Sequence, residues 1–316
     1  MNEFAIIEHY FQQQTLLRPD VLVGIGDDGA CVALPPGHQL VITTDTLVAD
    51  VHFFSHWDPY DIAYRAVMVN LSDVAAMAAT PCWASLALTI PDAEPQWLAK
   101  FSAGLYAALN LHKVSLIGGD TTKGPLTITL TLHSIVPNNQ AVCRKGASSG
   151  DAIWLSGSLG AAALAMHYLT NQLYLPDDHA LWSSLLKPPA RLDLTLLLRE
   201  YASAAIDISD GLSADLNHLC QASNCGAILR WQSMPIYTEL QALPFCTALQ
   251  YIMQGGDDYE LCFTVPLHKH SAFKVALQQA QISCYEVGRI ETQPGLRILL
   301  ADNTLQSYVP QGYCHF

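Results

Sequence analysis

The spacing of apolar residues along the chain predicts alternating strands and helices. In residues 126–132 (LTITLTL), leucine and isoleucine occupy every second position and threonine fills the positions between them. This period of two is typical of a half-buried strand, most often an antiparallel one. Shorter apolar runs predict two further strands, at residues 40–44 and 84–90.

Two segments between these strands show the helical period instead. Residues 58–79 form the first predicted helix, with Asp58 as its cap and Pro59 in its first turn. Residues 95–110 form the second. The apolar stripe of this second helix consists of Trp97, Phe101, Leu105 and Leu109. Strand and helix therefore alternate through the first part of the chain, which predicts an α+β domain.

The pattern is interrupted and then begins again. Residues 137–151 are polar and contain glycine, and we place a domain boundary there, between a first domain of residues 1–146 and a second of 147–316. A strand near 152–156 and a small-residue loop at 157–160 precede helical patterns that extend to about residue 202. Further strands are predicted near residues 204–208, 227–231, 260–265 and 284–290.

Composition narrows the classes of function. The 316 residues include 28 acidic and 15 basic side chains, which gives a net charge of −13. Such a chain does not bind nucleic acid by neutralising its phosphates. If it binds phosphates at all, divalent cations recruited by carboxylates are the natural source of positive charge. Acidity that serves only solubility is the alternative at this stage.

The cysteines and the start of the chain suggest the compartment. The nine cysteines are odd in number and form no C-x-x-C pair, so neither a disulfide framework nor a zinc site is expected. The first residues, MNEFAIIEHYF, lack the basic region and apolar run of a secretory leader, and no stretch is long and apolar enough to span a membrane. We expect a cytoplasmic protein without membrane partners.

The aspartates occupy a distinctive set of positions. Most follow an apolar run or precede one, and most lie beside glycine, so we expect them at the ends of strands. An Asp–Gly turn by itself is usually only a turn, but Asp73 lies inside an apolar helix, where an unpaired carboxylate is costly. The motifs are GIGDDGA with Asp27 and Asp28, TTDT with Asp45, NLSD with Asp73, GGDTT with Asp120, DISDG with Asp207 and Asp210, and GGDDYE with Asp257 and Asp258.

Carboxylates gathered in one crevice require compensation. Two of them ~4 Å apart repel by ~4 kcal/mol at an effective dielectric constant of ~20. Mg²⁺ fits such a site because it takes oxygen ligands and retains bound water. Thr43 and Thr44, beside Asp45, can add hydroxyl or carbonyl oxygens. The repeated pattern therefore favours a magnesium site over a set of unrelated turns.

Two familiar nucleotide motifs do not apply. Residues 24–29 (GIGDDG) fit G-x-G-x-x-G, but two prolines follow where the dinucleotide fingerprint needs a helix, and two acids occupy the phosphate position. The chain has no G-x-x-x-x-G-K-[ST]. We assemble no nucleophilic triad from the sequence. His52, near Asp45 in sequence, is as an isolated histidine more often structural than functional.

Taken together, the motifs resemble the thiamine-monophosphate kinase family. GIGDDGA, TTDTLVADVHF, NLSDVAAMAA, GGDTTKGP, IDISDGL and GGDDYELCFTV occur in the order found in that family, and the resemblance extends from about residue 4 to the terminal GYCHF. It implies the two-domain fold of aminoimidazole ribonucleotide synthetase, with an α+β N-terminal domain whose sheet pairs with that of a second copy in a homodimer. It also implies a C-terminal α/β domain that completes the active site.

The resemblance implies a reaction and a role for each matched residue. ATP would transfer its γ-phosphoryl group to thiamine monophosphate, giving thiamine diphosphate. The positions matched to magnesium binding are Asp28, Thr43, Thr44, Asp45, Asp73, Asp120, Asp207, Asp210 and Asp27. Those matched to ATP are Gly119, Asp120, Arg144 and Ser209, and Tyr106 is expected to reach ATP as well. Those matched to the substrate are His52, Asp257 and Tyr313.

The chain departs from the family pattern at three positions. The family usually has glutamate where this chain has Asp257, glycine where it has Ala78, and aspartate where it has Cys314. Aspartate is one methylene shorter than glutamate, so the substrate contact at position 257 is the one most affected.

The acceptor chemistry agrees with the absence of a base motif. A phosphate monoester has a second pKa near ~6, so at neutral pH its oxygen is ionised and needs no general base. Phosphoryl transfer then depends on positioning and charge neutralisation, and we expect in-line transfer without a covalent enzyme intermediate.

Other functions stay open on sequence alone. Selenophosphate synthetase would need a reactive cysteine in an early glycine-rich loop, which Cys31 does not match, and the hydrogenase-maturation protein would need cysteine as its last residue. Aminoimidazole ribonucleotide synthetase itself matches less well. A protein that binds nucleotide without turnover and a purely structural dimer are the alternatives from other classes, and Asp73 argues against the second.

Overall fold

The computed structural model describes residues 2–12, 17–176 and 179–314, so the last two residues of the GYCHF motif lie outside it. Within this range the chain divides into two compact units. The first contains the residues up to Val74 together with Ala79–Asn139; the second contains Ala75–Ala78 and the residues from Gln140 onward. The units therefore divide seven residues before the predicted boundary at 146.

The first unit begins with a short helix and a hairpin and continues into a sheet. Its sheet has the strand order β3-β6-β4-β5, in which β6 is antiparallel to both neighbours and β4 is parallel to β5. Its elements are α1 (Glu3–Ile6), β1 (Val21–Val23), β2 (Cys31–Val32), β3 (His38–Val48), α2 (Pro59–Ala76, whose last two residues belong to the second unit), β4 (Thr80–Ile90), α3 (Pro95–Leu111), β5 (Ser115–Lys123) and β6 (Thr127–Pro137).

One face of this sheet forms the core of the first unit. Along β6, the residues at even positions from Ile128 to Val136 are buried and those between them are half-buried, which confirms the predicted alternation. The stripe on α3 is also confirmed, because Phe101, Leu105 and Leu109 are fully buried. Asp58 caps α2 as predicted, with its Oδ1 accepting a hydrogen bond from the Tyr60 amide at 2.9 Å.

The second unit is a mixed sheet with helices between its strands. The strand order is β13-β12-β9-β11-β7-β10-β8, and β12 and β9 form its parallel pair. Its elements are β7 (Ala152–Leu155), α4 (Ala161–Thr170), α5 (Ala180–Leu186), α6 (Thr195–Tyr201), β8 (Ala204–Asp207), α7 (Leu212–Ser223), β9 (Gly226–Arg230), α8 (Phe245–Gln254), β10 (Leu261–Val265), α9 (His270–Ala280), β11 (Tyr285–Glu291), β12 (Gly295–Leu299) and β13 (Leu305–Tyr308).

Aromatic and aliphatic side chains fill this second core. Phe263 on β10 and Phe273 on α9 are fully buried and meet edge to face, with ring centroids 5.7 Å apart. Each of the nine cysteines lies within the described residues and is a free thiol. Among the helices of the described ranges, none combines the length and the apolar content that crossing a bilayer requires.

Candidate functional site

In the first unit, two predicted acids lie together between the sheet and α2. Asp45 lies on β3 and Asp73 on α2, and both are half-buried. Thr43, two residues before Asp45 on the same face of β3, donates its hydroxyl hydrogen bond to Asp73 Oδ2 at 2.6 Å. Burial, and to a smaller extent the charge of Asp73, raise the pKa of Asp45 to about 7.

The prediction that Asp45 ends its strand is wrong. β3 continues to Val48, because residues 46–48 pair with Thr127–Thr129 on β6. Asp45 is therefore held in mid-strand, opposite Leu130, and its position is fixed by the pairing with β6 that continues before and after it along β3. A strand position of this kind holds a ligand more rigidly than a turn would.

Thr44 faces the other way. Successive side chains of a strand alternate between the two faces, and the Thr44 hydroxyl lies 2.9 Å from the Thr131 hydroxyl on the face opposite to Asp45. The structure therefore brings Thr43, and not the Thr44 side chain, to the acid pair. Thr44 retains its backbone carbonyl as the only group with which it can fill the predicted role.

The three other acids of the first unit that were predicted as ligands are exposed. Asp27 and Asp28 lie in the loop between β1 and β2, where the Asp28 amide donates to Asp27 Oδ1 at 2.8 Å. Asp120 lies within β5, not in a turn, and the pairing aligns it with Ala87 and Thr129. Gly119, by contrast, lies in the line of residues paired across the four strands that contains Asp45, Leu130 and Leu86. By this register, the Asp120 carboxylate is on the opposite face of the sheet from Asp45.

His52 and Tyr106 have defined roles in the fold. His52 Nδ1 accepts the hydrogen bond of the Val48 amide at 3.0 Å, so the neutral ring carries its proton on Nε2. Tyr106 is only 4% exposed, and its hydroxyl donates to the carbonyl of Phe11. That placement in the core gives Tyr106 a packing role and does not support the predicted ATP contact.

In the second unit, three motifs that are distant in sequence meet at the DISDG loop. β8 ends at Asp207, and the chain then turns through Ser209 and Asp210. The Asp257 amide donates to the Ser209 carbonyl at 2.8 Å, and the Tyr313 amide donates to the Asp210 carbonyl at 3.2 Å. The structure thus brings predicted ATP, metal and substrate residues to one place.

Glycine makes this close approach possible. A Cβ atom on Gly256 would lie 2.2 Å from the Ser209 carbonyl oxygen, and one on Gly312 would lie 2.7 Å from that of Asp210. Because both clashes involve backbone atoms, any larger residue would push the loops apart. The glycines of GGDDYE and GYC therefore set the spacing of this group.

The sequence interpretation missed Asp215, which supports the same loop. Asp215 lies in the first turn of α7, is 3% exposed, and its Oδ2 accepts the amides of Asp210 at 3.0 Å and Gly211 at 3.1 Å. Burial and then the charge of Asp210 raise its pKa to about 7, while the charge of Arg144 opposes this. An acid shortly after a strand-ending Asp–Gly was the available signal.

The GGDDYE segment separates its two acids. Asp258 is buried and accepts the Gly160 amide at the start of α4 with both carboxylate oxygens, each at 3.0 Å, and burial raises its pKa well above the ordinary value. Asp257 and Tyr259 on either side adopt positive φ angles of 69° and 50°. The Tyr259 hydroxyl donates to Asp257 Oδ1 at 3.1 Å. Backbone strain of this kind concentrates at functional sites.

The donors in the first unit suit a hard cation. The group around Asp45 and Asp73 offers only oxygen atoms, which Mg²⁺ and Ca²⁺ prefer. Two carboxylates this close repel each other unless a cation or a proton compensates them. In the described ranges, no three His, Cys, Asp or Glu side chains are placed to hold a metal together, so oxygen atoms of other groups would have to complete any coordination.

Comparison with known proteins gives the family. Residues 26–136 match the N-terminal domain of AIR synthase related proteins, and residues 148–301 match their C-terminal domain. Over 319 aligned residues the chain is 41% identical to thiamine-monophosphate kinase of Salmonella typhimurium, covering all of this chain and 98% of that protein.

Solved structures agree. Thiamine-monophosphate kinase from Stenotrophomonas maltophilia K279a superposes with a TM-score of 0.86 at 40% identity, over 94% of this chain and 96% of that one. AaThiL, solved with AMPPCP and TMP, gives a TM-score of 0.79 at 32% identity over 92% of each chain. These comparisons confirm the predicted fold class and the predicted resemblance. The chain therefore belongs to the thiamine-monophosphate kinase family, and its two halves are the N- and C-terminal domains of an AIR synthase related protein.

Proposed function

We propose that this chain transfers the γ-phosphoryl group of ATP to thiamine monophosphate and releases thiamine diphosphate and ADP. The observation that carries this is its full-length likeness to thiamine-monophosphate kinases, including a relative solved with an ATP analogue and TMP. The acid pair in the first unit and the convergent loops in the second supply groups suited to that reaction.

Asp45, Asp73 and Thr43 would hold Mg²⁺. When bound, the ion supplies positive charge against the phosphate oxygens of ATP and of the acceptor. The protein residues hold its position, because Asp45 is fixed by the β3–β6 ladder and Asp73 by the Thr43 hydroxyl. Further magnesium ligands are proposed from the family pattern at Asp27, Asp28, Thr44, Asp120, Asp207 and Asp210.

The DISDG loop would bind the nucleotide. Ser209 and the exposed Arg144 belong to the same unit, and the charge of Arg144 acts on Asp215 beneath the loop. A guanidinium group can bind phosphate with two parallel hydrogen bonds. Gly119 and Asp120 on β5 are proposed as further ATP contacts. The positive charge of Arg144 would offset part of the charge of the triphosphate.

The acceptor would be positioned by His52, Asp257 and Tyr313. His52 carries its proton on Nε2 in the neutral ring, which suits donation to a phosphate oxygen. Asp257 is oriented by Tyr259, and Tyr313 is half exposed, with an aromatic face available to a heterocycle. Since the acceptor oxygen is already ionised at neutral pH, these residues position it and none needs to remove a proton.

The outer face of the first unit's sheet would form a homodimer. Leu40 and Ile42 on the edge strand β3 are 44% and 55% exposed, beside the paired threonines of β3 and β6. An exposed apolar edge strand is a surface that a second copy can cover.

We also propose the cytoplasm as the compartment, in keeping with nine free cysteines.

A product assay tests the function. The purified full chain is incubated with ATP, MgCl₂ and thiamine monophosphate, and thiamine diphosphate is followed by chromatography. Formylglycinamidine ribonucleotide (the precursor that aminoimidazole ribonucleotide synthetase closes) and selenide are supplied in parallel, as the acceptors of related enzymes. We expect thiamine diphosphate only, and only with magnesium. Turnover of another acceptor, or ATP binding without any product, would refute the proposal.

A further inference from the structure

Asn70 on α2 is a buried amide in which only one of the two polar side-chain atoms has a hydrogen-bond partner among the described residues. Its side chain is fully buried, and Nδ2 donates to the carbonyl of Leu130 at 2.6 Å. Its Oδ1 has no hydrogen-bond partner among the described residues. An unsatisfied buried acceptor destabilises the fold, and folded proteins rarely retain one without a reason.

The strand register places this amide beside Asp45. On the inner face of the sheet, Thr43 is opposite Leu132 and Asp45 is opposite Leu130. Asp73 on α2 bonds to Thr43, and Asn70, one helical turn earlier, bonds to the carbonyl of Leu130. Asn70 therefore bonds to the cross-strand neighbour of Asp45 and lies one helical turn from Asp73, which places the amide next to the acid pair.

We propose that Asn70 Oδ1 is a further oxygen ligand for the divalent cation held by Asp45 and Asp73. This rests on the magnesium site proposed above. A neutral amide oxygen adds a donor without adding charge, which matters where two carboxylates already repel each other. The bond from Nδ2 to Leu130 fixes which end of the amide is directed away from the sheet backbone. The orphaned oxygen is then a cost in the metal-free protein that the cation offsets.

Magnesium binding to the full chain tests this without nucleotide or thiamine monophosphate. EDTA-treated protein is titrated with MgCl₂, the melting temperature is followed, and binding of Mn²⁺ is measured by electron paramagnetic resonance. The test variant is Asn70→Leu, which keeps the approximate shape and removes both polar atoms. We expect a magnesium midpoint raised about tenfold or more.

A matched control and a second variant complete the test. The control is Ser134→Ala, which removes a fully buried hydroxyl that, like Asn70 Oδ1, has no partner among the described residues. Ser134 lies on β6 opposite Val41 and away from Asp45, so this variant should leave the magnesium midpoint unchanged. Asn70→Asp keeps an oxygen but loses the bond to Leu130. The aspartate variant should be less stable than wild type without metal. It should still bind magnesium more tightly than Asn70→Leu, because it keeps an oxygen atom at this position.

Three outcomes would overturn the proposal. The first is a wild-type magnesium midpoint in folded Asn70→Leu, and the second is equal midpoints in the leucine and aspartate variants. The third is a wild-type protein that shows no response to magnesium. None of them depends on turnover, so a chain that binds magnesium through Asn70 but makes no thiamine diphosphate would refute the kinase proposal alone.

Discussion

At the scale of single residues, Asp45 couples folding to pH and to metal. Its folded pKa of about 7 lies above the ordinary 3.8. The protonated form is therefore favoured by folding, and the stability that it contributes is present at low pH and is lost as the pH rises through about 7. An uncharged residue at position 45 would not lose stability as the pH rises through this range.

We therefore predict that metal-free Asp45→Asn is more stable than metal-free wild type at pH 8, by about 1–2 kcal/mol after allowance for partial exposure. The difference should shrink at pH 5. Urea unfolding in EDTA at both pH values measures it. Asp92→Asn is the control, because Asp92 is an exposed partner of Lys123. A difference that does not change with pH would contradict the assigned electrostatics.

Asp215 supports its loop by accepting hydrogen bonds and not by carrying charge. Because Oδ2 accepts two amides, Asp215→Asn retains an acceptor, whereas Asp215→Ala leaves both donors unsatisfied. We predict that the alanine variant loses about 2 kcal/mol of stability and that the asparagine variant stays within about 1 kcal/mol of wild type. Thermal unfolding measures both. Equal losses would indicate that the charge is what matters.

At the scale of elements, the end of α2 depends on a strained alanine. Ala78 has a φ of 53°, and its amide and that of Ala79 bond to the carbonyls of Ala75 and Val74, both at 2.9 Å. This is the Schellman pattern, in which glycine is preferred at the left-handed position. Glycine is also the residue that the family usually has there.

Ala78→Gly should therefore be tolerated. Relief of the left-handed strain offsets the loss of a buried methyl group, so we expect stability within about 0.5 kcal/mol of wild type or above it. Ala66→Gly, at a fully buried position in the middle of the same helix, should lose about 1–2 kcal/mol. Chemical denaturation of the two variants gives the comparison, and similar losses would contradict it.

Elements with a clear period were predictable and those held by pairing were not. The alternation in β6 and the stripe on α3 follow from local spacing. The GGDTT sequence within β5 suggests a glycine turn, but these residues form a strand because they pair in parallel with β4. β12 and β13 were also missed, because strands of four or five residues leave little periodic signal. The same effect hid the mid-strand position of Asp45 and the outward face of Asp120.

At the scale of the whole molecule, the family and the fold class were predictable because six spaced motifs match in order. The grouping of site residues was only partly predictable. The convergence of DISDG with GGDDYE and the C-terminal segment depends on glycine contacts between distant loops. Asp215 and Asn70 were missed because neither stands out from its helix by composition alone.

The proposed homodimer gives a prediction at this scale. Ile42→Lys places a charge on the exposed edge of the first unit's sheet and should produce monomers, as measured by size-exclusion chromatography with light scattering. Leu267→Lys changes an apolar residue of the second unit that is 72% exposed and should leave the assembly unchanged. A dimer that persists in Ile42→Lys would exclude this face.

Whether Asp45 holds a magnesium ion needed for phosphoryl transfer is decided by the rate of thiamine diphosphate formation as magnesium is varied, for wild type and for Asp45→Asn. We predict that wild type forms thiamine diphosphate with a magnesium-dependent rate. The variant, folded by circular dichroism, should be slower by about 100-fold or more and should need more magnesium. Equal rates at equal magnesium would contradict the magnesium role of Asp45. No product from folded wild type would contradict the proposed kinase activity.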